Sequence, residues 1–208
     1  MAQVRRSLLP LTGVGFAIFL VTAFLIQGAT LSAGEPGENV ISHFSEDESN
    51  QMLAAILLAV SAVLFLFFAG SVRSVLRVAE GEVGTLSAVA FAGAIVAATG
   101  ILIFAALGYT LVEGINDFEP AAAQTLNALN ANLFFPLAGG FGTFLLATGL
   151  VARRTGALPS WLAWSALILG VIQLTPVGFF AFLASIVWVL ATSIVLWRGE
   201  PAIAAIAS

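Results

Sequence analysis

Apolar residues run along this chain in long blocks, without the strict alternation of a half-buried strand or the one-sided stripe of a soluble helix. Six blocks stand out, at about 8–31, 51–72, 86–112, 129–152, 160–175 and 179–197. About 20 apolar residues carry a helix across a hydrocarbon core of roughly 30 Å. The pattern therefore predicts an all-α fold, an integral membrane bundle of six transmembrane helices forming one domain over residues 1–208. The last two blocks are short, and the turn between them is expected below the membrane surface, where protein or water must cover its backbone. The first block follows Arg5 and Arg6 as a signal peptide would. It outlasts the roughly 7–15-residue core of a cleaved signal, and Leu31-Ser32-Ala33 is a poor cleavage site, so it reads as a retained signal-anchor helix. Cleavage would leave five spans.

The polar gaps carry start and stop signals. Ser45-Glu46-Asp47-Glu48 has the form of a capping box at the head of the second span, inside an acidic outer loop at 33–50. Pro120 suits the first residue of the fourth helix. Pro136, with Gly139, Gly140 and Gly142, predicts a kink in the outer half of that helix. On the third span Ala90, Ala94 and Ala98, with Gly93 and Ala97, form small-residue rows that admit either a neighbouring helix or a second subunit. The halves do not match as inverted transporter repeats would, and three successive helical hairpins are the simplest arrangement.

Charge converts the threading into a topology. All basic residues are arginines, and Arg5, Arg6, Arg73, Arg77, Arg153, Arg154 and Arg198 fall on one side of it; Glu35, Glu38, Glu46, Asp47, Glu48, Glu113, Asp117 and Glu119 fall on the other. Arginines beside short loops stay cytoplasmic, which places both termini in the cytoplasm. Only 9% of residues are charged, against about 25% in soluble proteins, and the mean hydropathy is +1.07, so little is left for a soluble domain. Arginine without lysine in an alanine-rich chain is a bias of GC-rich bacterial genomes. A multi-pass protein of the cell membrane, specifically a bacterial inner membrane, is expected.

The same inventory removes most chemistry. Without cysteine there is no disulfide, thiolate or iron–sulfur ligation. The two aspartates, Asp47 and Asp117, lie in loops and cannot form an intramembrane pair. His43 is the single histidine, also in a loop, which excludes paired-histidine zinc or haem sites. Lysine, needed for a Schiff base, is absent. No charged residue falls within a span, which argues against a proton- or sodium-coupled pump. The expectation is no catalytic residue, no cofactor, no metal and no nucleic-acid partner. The outer acids with His43 could be read as an oxygen-rich Ca²⁺ or Mg²⁺ cluster, but charge segregation by topology accounts for them without a metal.

Neutral polar side chains are what remain. Gln27, Tyr109, Asn127, Asn130, Asn132, Gln173 and Thr175 all lie toward the outer ends of their spans. They form either an outward pocket for a neutral polar or amphiphilic ligand, such as a lipid head group, or wet interfacial and interhelical contacts of about 0.6–2 kcal/mol each. Gln173, about 20 Å along its helix from Ser160, should have a partner. Phe65, Phe67 and Phe68, Phe134 and Phe135, and Phe179, Phe180 and Phe182 line a path for a lipid tail or quinone, or else fill the bundle and face lipid. Trp188, near the middle of the last span, is the aromatic whose burial matters.

Leu158-Pro159-Ser160-Trp161-Leu162-Ala163-Trp164, the apolar hairpin with Trp188, the closing Leu196-Trp197-Arg198 and the polar lead Asn39 to Leu57 resemble uncharacterised six-span integral membrane proteins of GC-rich bacteria, grouped under domain-of-unknown-function headings. The resemblance implies a six-helix bundle and no particular substrate. The function expected is that of a non-enzymatic multi-pass membrane protein, structural, accessory or ligand-binding, its partners the lipid bilayer, a lipid or small neutral ligand, and a second copy or another membrane protein. The alternative is a small permease or lipid-handling carrier. A carrier predicts a continuous polar cavity reaching the midplane between spans one, three, four and five; an accessory protein predicts a closed, well-packed bundle.

Overall fold

Backbone amides inside a bilayer find no water, so each apolar block must close its hydrogen bonds within itself. In the computed structural model, which describes residues 8–81 and 83–204, every apolar block is helical over most of its length. Arg5, Arg6 and Glu82 lie outside the described residues. A 3₁₀ turn at Leu9–Leu11 leads into α1 (Thr12–Gln27), followed by α2 (Gly37–Glu46), α3 (Glu48–Glu80), α4 (Thr85–Glu113), α5 (Pro120–Ala131), α6 (Phe134–Thr155), α7 (Ser160–Gln173) and α8 (Gly178–Ala204). Five stretches are long and apolar enough to cross a membrane: Leu9–Gln27, α3, α4, Pro120–Thr155 across the α5–α6 break, and Gly178–Gly199. The chain is thus built as a multi-pass membrane protein. α7 is apolar but has only 14 residues, about 21 Å of helix.

Several boundaries differ from those the sequence predicts. α1 stops at Gln27, where Gly28 turns the chain at φ 73, rather than running to Leu31. The segment 33–50 is not a plain loop: α2 lies within it and buries Val40 and Phe44 against Leu111, Val112, Ile115 and Ala123. There is no capping box at Ser45. That residue is inside α2, where its hydroxyl donates to the Ser42 carbonyl at 3.1 Å. Asp47 closes α2 and opens α3, and its carboxylate accepts from Asn50 Nδ2 at 2.8 and 3.0 Å. The amphipathic spacing of Val40 and Phe44, four residues apart on one face, outweighs the local capping signature. α3 also continues eight residues past Val72, to Glu80.

Pro120 does open α5. The expected kink falls earlier than Pro136, as a full break at Asn132 and Leu133. A proline excludes the carbonyl four residues before it, which is that of Asn132, so the chain interrupts there and Pro136 takes the third position of α6. The glycines that follow serve packing instead. A Cβ on Gly93 would sit 2.6 Å from the Phe144 amide nitrogen, and one on Gly140 would strike the Ala97 backbone. The small-residue row of α4, including Ala90, Gly93, Ala94, Ala97 and Ala98, is buried inside the bundle. On the other flank of α6 the same device recurs, with Gly149 against Ala163 and Leu167 and Gly170 against Leu146.

Around this spine α1 packs on α3 and α8, and the interior is filled by phenylalanines. Phe16, Phe65 and Phe141 meet at ring distances of 4.7–6.2 Å. Trp188 is buried, 3% exposed, and its indole N–H donates to the Leu162 carbonyl at 3.0 Å, joining α8 to α7. At the end of the bundle that carries the arginines, Glu80 accepts from the Leu86 and Ser87 amides at 2.8 and 2.9 Å. Those amides belong to the otherwise unpaired first turn of α4. At the opposite, acidic end α2 and α5 lie against each other, Gly37 meeting the Pro120 backbone.

Substituting Gly140 by alanine should lower thermal stability in detergent by about 1–3 kcal/mol, the cost of overpacking. Gly139→Ala, where a Cβ meets nothing within 4 Å, should leave the melting temperature unchanged. Equal behaviour of the two variants would contradict the backbone contact between α4 and α6.

Candidate functional site

The break between α5 and α6 leaves space beneath it. A cavity of about 270 Å³ opens at the acidic end and is lined by Leu20 and Phe24 of α1, Leu58 of α3, Ile101 and Phe104 of α4, and Phe179 and Phe182 of α8. The break itself supplies Asn130, Ala131, Leu133, Phe134 and Leu137, and Thr30 stands at the edge. Leu20, Leu58, Ile101 and Phe182 are buried and form the floor, whereas Thr30 and Phe179 are exposed and mark the mouth. Leu58 lies about 15 Å along α3 from its start, so the floor reaches well into the apolar layer. The aromatic walls are mutually braced: Phe182 meets the rings of Phe24 and Phe134 edge-on at 6.5 and 6.4 Å.

The walls are apolar with two exceptions, Thr30 and Asn130. Asn130 is 4% exposed, and its Oδ1 is buried with no hydrogen-bond partner among the described residues. An unpaired buried acceptor is uncommon in folded proteins and costs about 1–3 kcal/mol. Asn130 itself is one of the residues that line a cavity large enough to admit a ligand.

The other expected pocket residues do not line this cavity. Asn127 is buried and donates from Nδ2 to the Ser32 carbonyl at 2.8 Å, fastening the 28–36 segment over α5. Gln27 offers its backbone carbonyl to Gln51 Nε2 at 3.0 Å, while its own Oε1 is buried and unpartnered. Asn132 and Thr175 are exposed and bond within their own turns, to the Ala128 and Ile172 carbonyls. Tyr109 is 37% exposed on the outside of α4. Gln173 corrects the expectation of a partner: it is 1% exposed, and both Nε2 and Oε1 lack one. It closes α7, where the tight turn brings Gly178 against its own backbone, and among the described residues no hydrogen-bond partner reaches its side chain.

The phenylalanines divide between the roles open to them. Phe65 and Phe68 fill the core, Phe67, Phe135 and Phe180 are exposed, and Phe134, Phe179 and Phe182 line the cavity. Two features escape the sequence reading. Gln51 is buried and holds α3 to the end of α1, 3.5 Å from His43 Nε2; its position at the outer end of a span, like that of Gln27, was the available signal. The aliphatic floor residues carry no signal, because buried and lipid-facing leucines look alike in sequence. Among the described residues no group of three His, Asp or Glu side chains is placed to hold a metal ion.

No protein-family model matches the chain, and no curated protein or solved structure matches it.

Replacing Gln173 by leucine removes two unpartnered buried polar atoms at nearly constant volume and should stabilise the purified protein by about 1–3 kcal/mol. A lowered melting temperature in detergent would instead reveal a partner for that amide.

Proposed function

We propose that this chain is a non-enzymatic membrane protein that holds an amphiphile with an uncharged head group in its cavity. One observation carries the proposal: an apolar chamber of about 270 Å³ lined in part by Asn130, whose buried amide oxygen has no partner among the described residues. An engineered apolar cavity of about 150 Å³ stays dry and takes up benzene, so a chamber approaching twice that size has room for a segment of hydrocarbon chain. The phenylalanine and leucine walls suit the chain, and Asn130 suits a hydroxyl or amide N–H of the head. Acids without arginines at that end disfavour an anionic head group. The apolar walls favour this reading over the carrier, which needs a polar path, and no group at the site is suited to general acid or base work near neutral pH.

The reading includes six crossings, with α7 as the fifth, both termini in the cytoplasm, and residence in a bacterial inner membrane, in keeping with the six-span proteins that the C-terminal hairpin resembles. The cysteine-free chain allows a direct test of the crossings by single-cysteine labelling at Ser42, Val78, Asn116, Thr155 and Thr175. The expected order is outside, inside, outside, inside, outside. Labelling of Thr175 from the cytoplasmic side would reduce the count to five.

The cavity has its own test in native mass spectrometry after gentle extraction. The unmodified chain should retain an amphiphile, and Ala131→Phe, which fills the chamber, should weaken retention by about tenfold or more, a loss of roughly 1.4 kcal/mol. Equal retention by both proteins would remove the cavity as the binding site.

A further inference from the structure

Toward the arginine end a second depression of about 420 Å³ runs between α3, α4 and the 3₁₀ turn that precedes α1. Leu9, Val63, Leu66, Phe67 and Phe91 give it apolar walls, and Gly70 forms part of its floor. A side chain at Gly70 would meet nothing within 4 Å, so the space above it is open. Val63, Phe67, Gly70 and Ser74 follow one another at helical spacing, making a strip that leads along α3 toward its arginine-bearing end.

Arg73 stands beside this strip. Its guanidinium carbon lies 5.3 Å from the centre of the Phe91 ring, which is itself a wall of the groove. Its Nε is buried and has no hydrogen-bond partner among the described residues. The cation is thus held by an aromatic face, and because Arg73 is only half-buried the rest of its side chain stays open to an acceptor from outside the chain. The hydroxyls nearby are already engaged: Ser71 donates to the Phe68 carbonyl at 2.6 Å and Ser74 to the Gly70 carbonyl at 3.0 Å. Glu80, the nearest acid along α3, accepts from the α4 amides.

We propose that this groove binds one anionic phospholipid of the leaflet at the arginine end, with an acyl chain along Val63, Leu66 and Phe67 and the phosphate on Arg73. The planar fork of arginine matches phosphate oxygens. Arg77, Arg153 and Arg154 at the same end add a positive field that separates a net anionic head group from a zwitterionic one. Ordinary annular lipid meets a ridged helix surface; here a groove and a positioned cation converge on one lipid. The binding is independent of the proposed occupant of the other cavity.

The test uses the full chain in detergent, titrated with phosphatidylglycerol or phosphatidylcholine of the same acyl chains and read by native mass spectrometry and melting temperature. Phosphatidylglycerol should bind about tenfold more tightly, a difference of roughly 1.4 kcal/mol, and the preference should shrink as salt rises. Arg73→Gln should abolish the preference. Gly70→Leu, which keeps every charge but fills the groove, should abolish tight binding of both lipids, and it carries the test alone if Arg73→Gln fails to fold. Arg198→Gln, which changes an exposed arginine outside the groove, should leave the preference intact. A preference unaltered in Arg73→Gln and Gly70→Leu, or lost equally in Arg198→Gln, would overturn the proposal, as would an equal shift with inorganic phosphate alone.

Discussion

The close approach of α6 to its two neighbours is the constraint on which the rest of this bundle depends. Lipid tails are as apolar as leucine, so helices in a membrane gain little by exchanging lipid for each other unless their backbones come near enough for dense van der Waals contact. Gly93 and Gly140 provide that nearness toward α4, and Gly149 and Gly170 toward α7. α6 becomes a plank gripped on both faces, and the phenylalanines of α1, α3 and α8 pack against the side chains it still presents. Phe141 and Phe144 can meet Phe65, Phe182 and Trp188 because the glycines on the flanks have already fixed where α6 lies.

The cavity follows from the same helix by a different route. Pro136 forbids a helical hydrogen bond to the Asn132 carbonyl, the helix interrupts at that residue, and the five cavity residues Asn130, Ala131, Leu133, Phe134 and Leu137 are those that flank the interruption. α2 and α5 then close the acidic end over it. α2 packs on α5 and on the end of α4 through Val40 and Phe44, Asn127 of α5 bonds the Ser32 carbonyl, and Gln51 ties α3 to the end of α1. One proline thus opens a space at the seam between α5 and α6.

Much of the helical layout was legible in the sequence, because block length and the placement of Pro120, the small residues of α4 and the arginine pairs are local signals. The faces of the helices were not legible. In a soluble helix the polar stripe marks the outside, whereas here Leu58 at the cavity floor and Leu53 on the exposed surface are chemically the same residue. For the same reason the amides could be listed but not sorted: Asn130 reaches the cavity, Asn127 ties down a loop and Gln173 is sealed in a turn, distinctions set by tertiary contact. The capping signature at Ser45 misled because a local hydrogen bond is worth less than burying Val40 and Phe44.

The shortness of α7 sets how the molecule sits among lipids. Its 14 residues supply about 21 Å of helix, while the hydrocarbon around it is nearer 30 Å. The turn beyond it exposes Leu174, Val177, Phe179 and Phe180, and its backbone closes on itself through Thr175 to Ile172 and Gly178 to Thr175, so it tolerates immersion. On the six-crossing reading proposed above, a crossing of this length creates hydrophobic mismatch on one side only and draws the leaflet inward along the α7–α8 edge. Phe179 belongs to that edge and to the mouth of the cavity alike. On that reading the thinned rim and the mouth of the cavity coincide, and a lipid-borne molecule has a sideways route into the protein without passing through water.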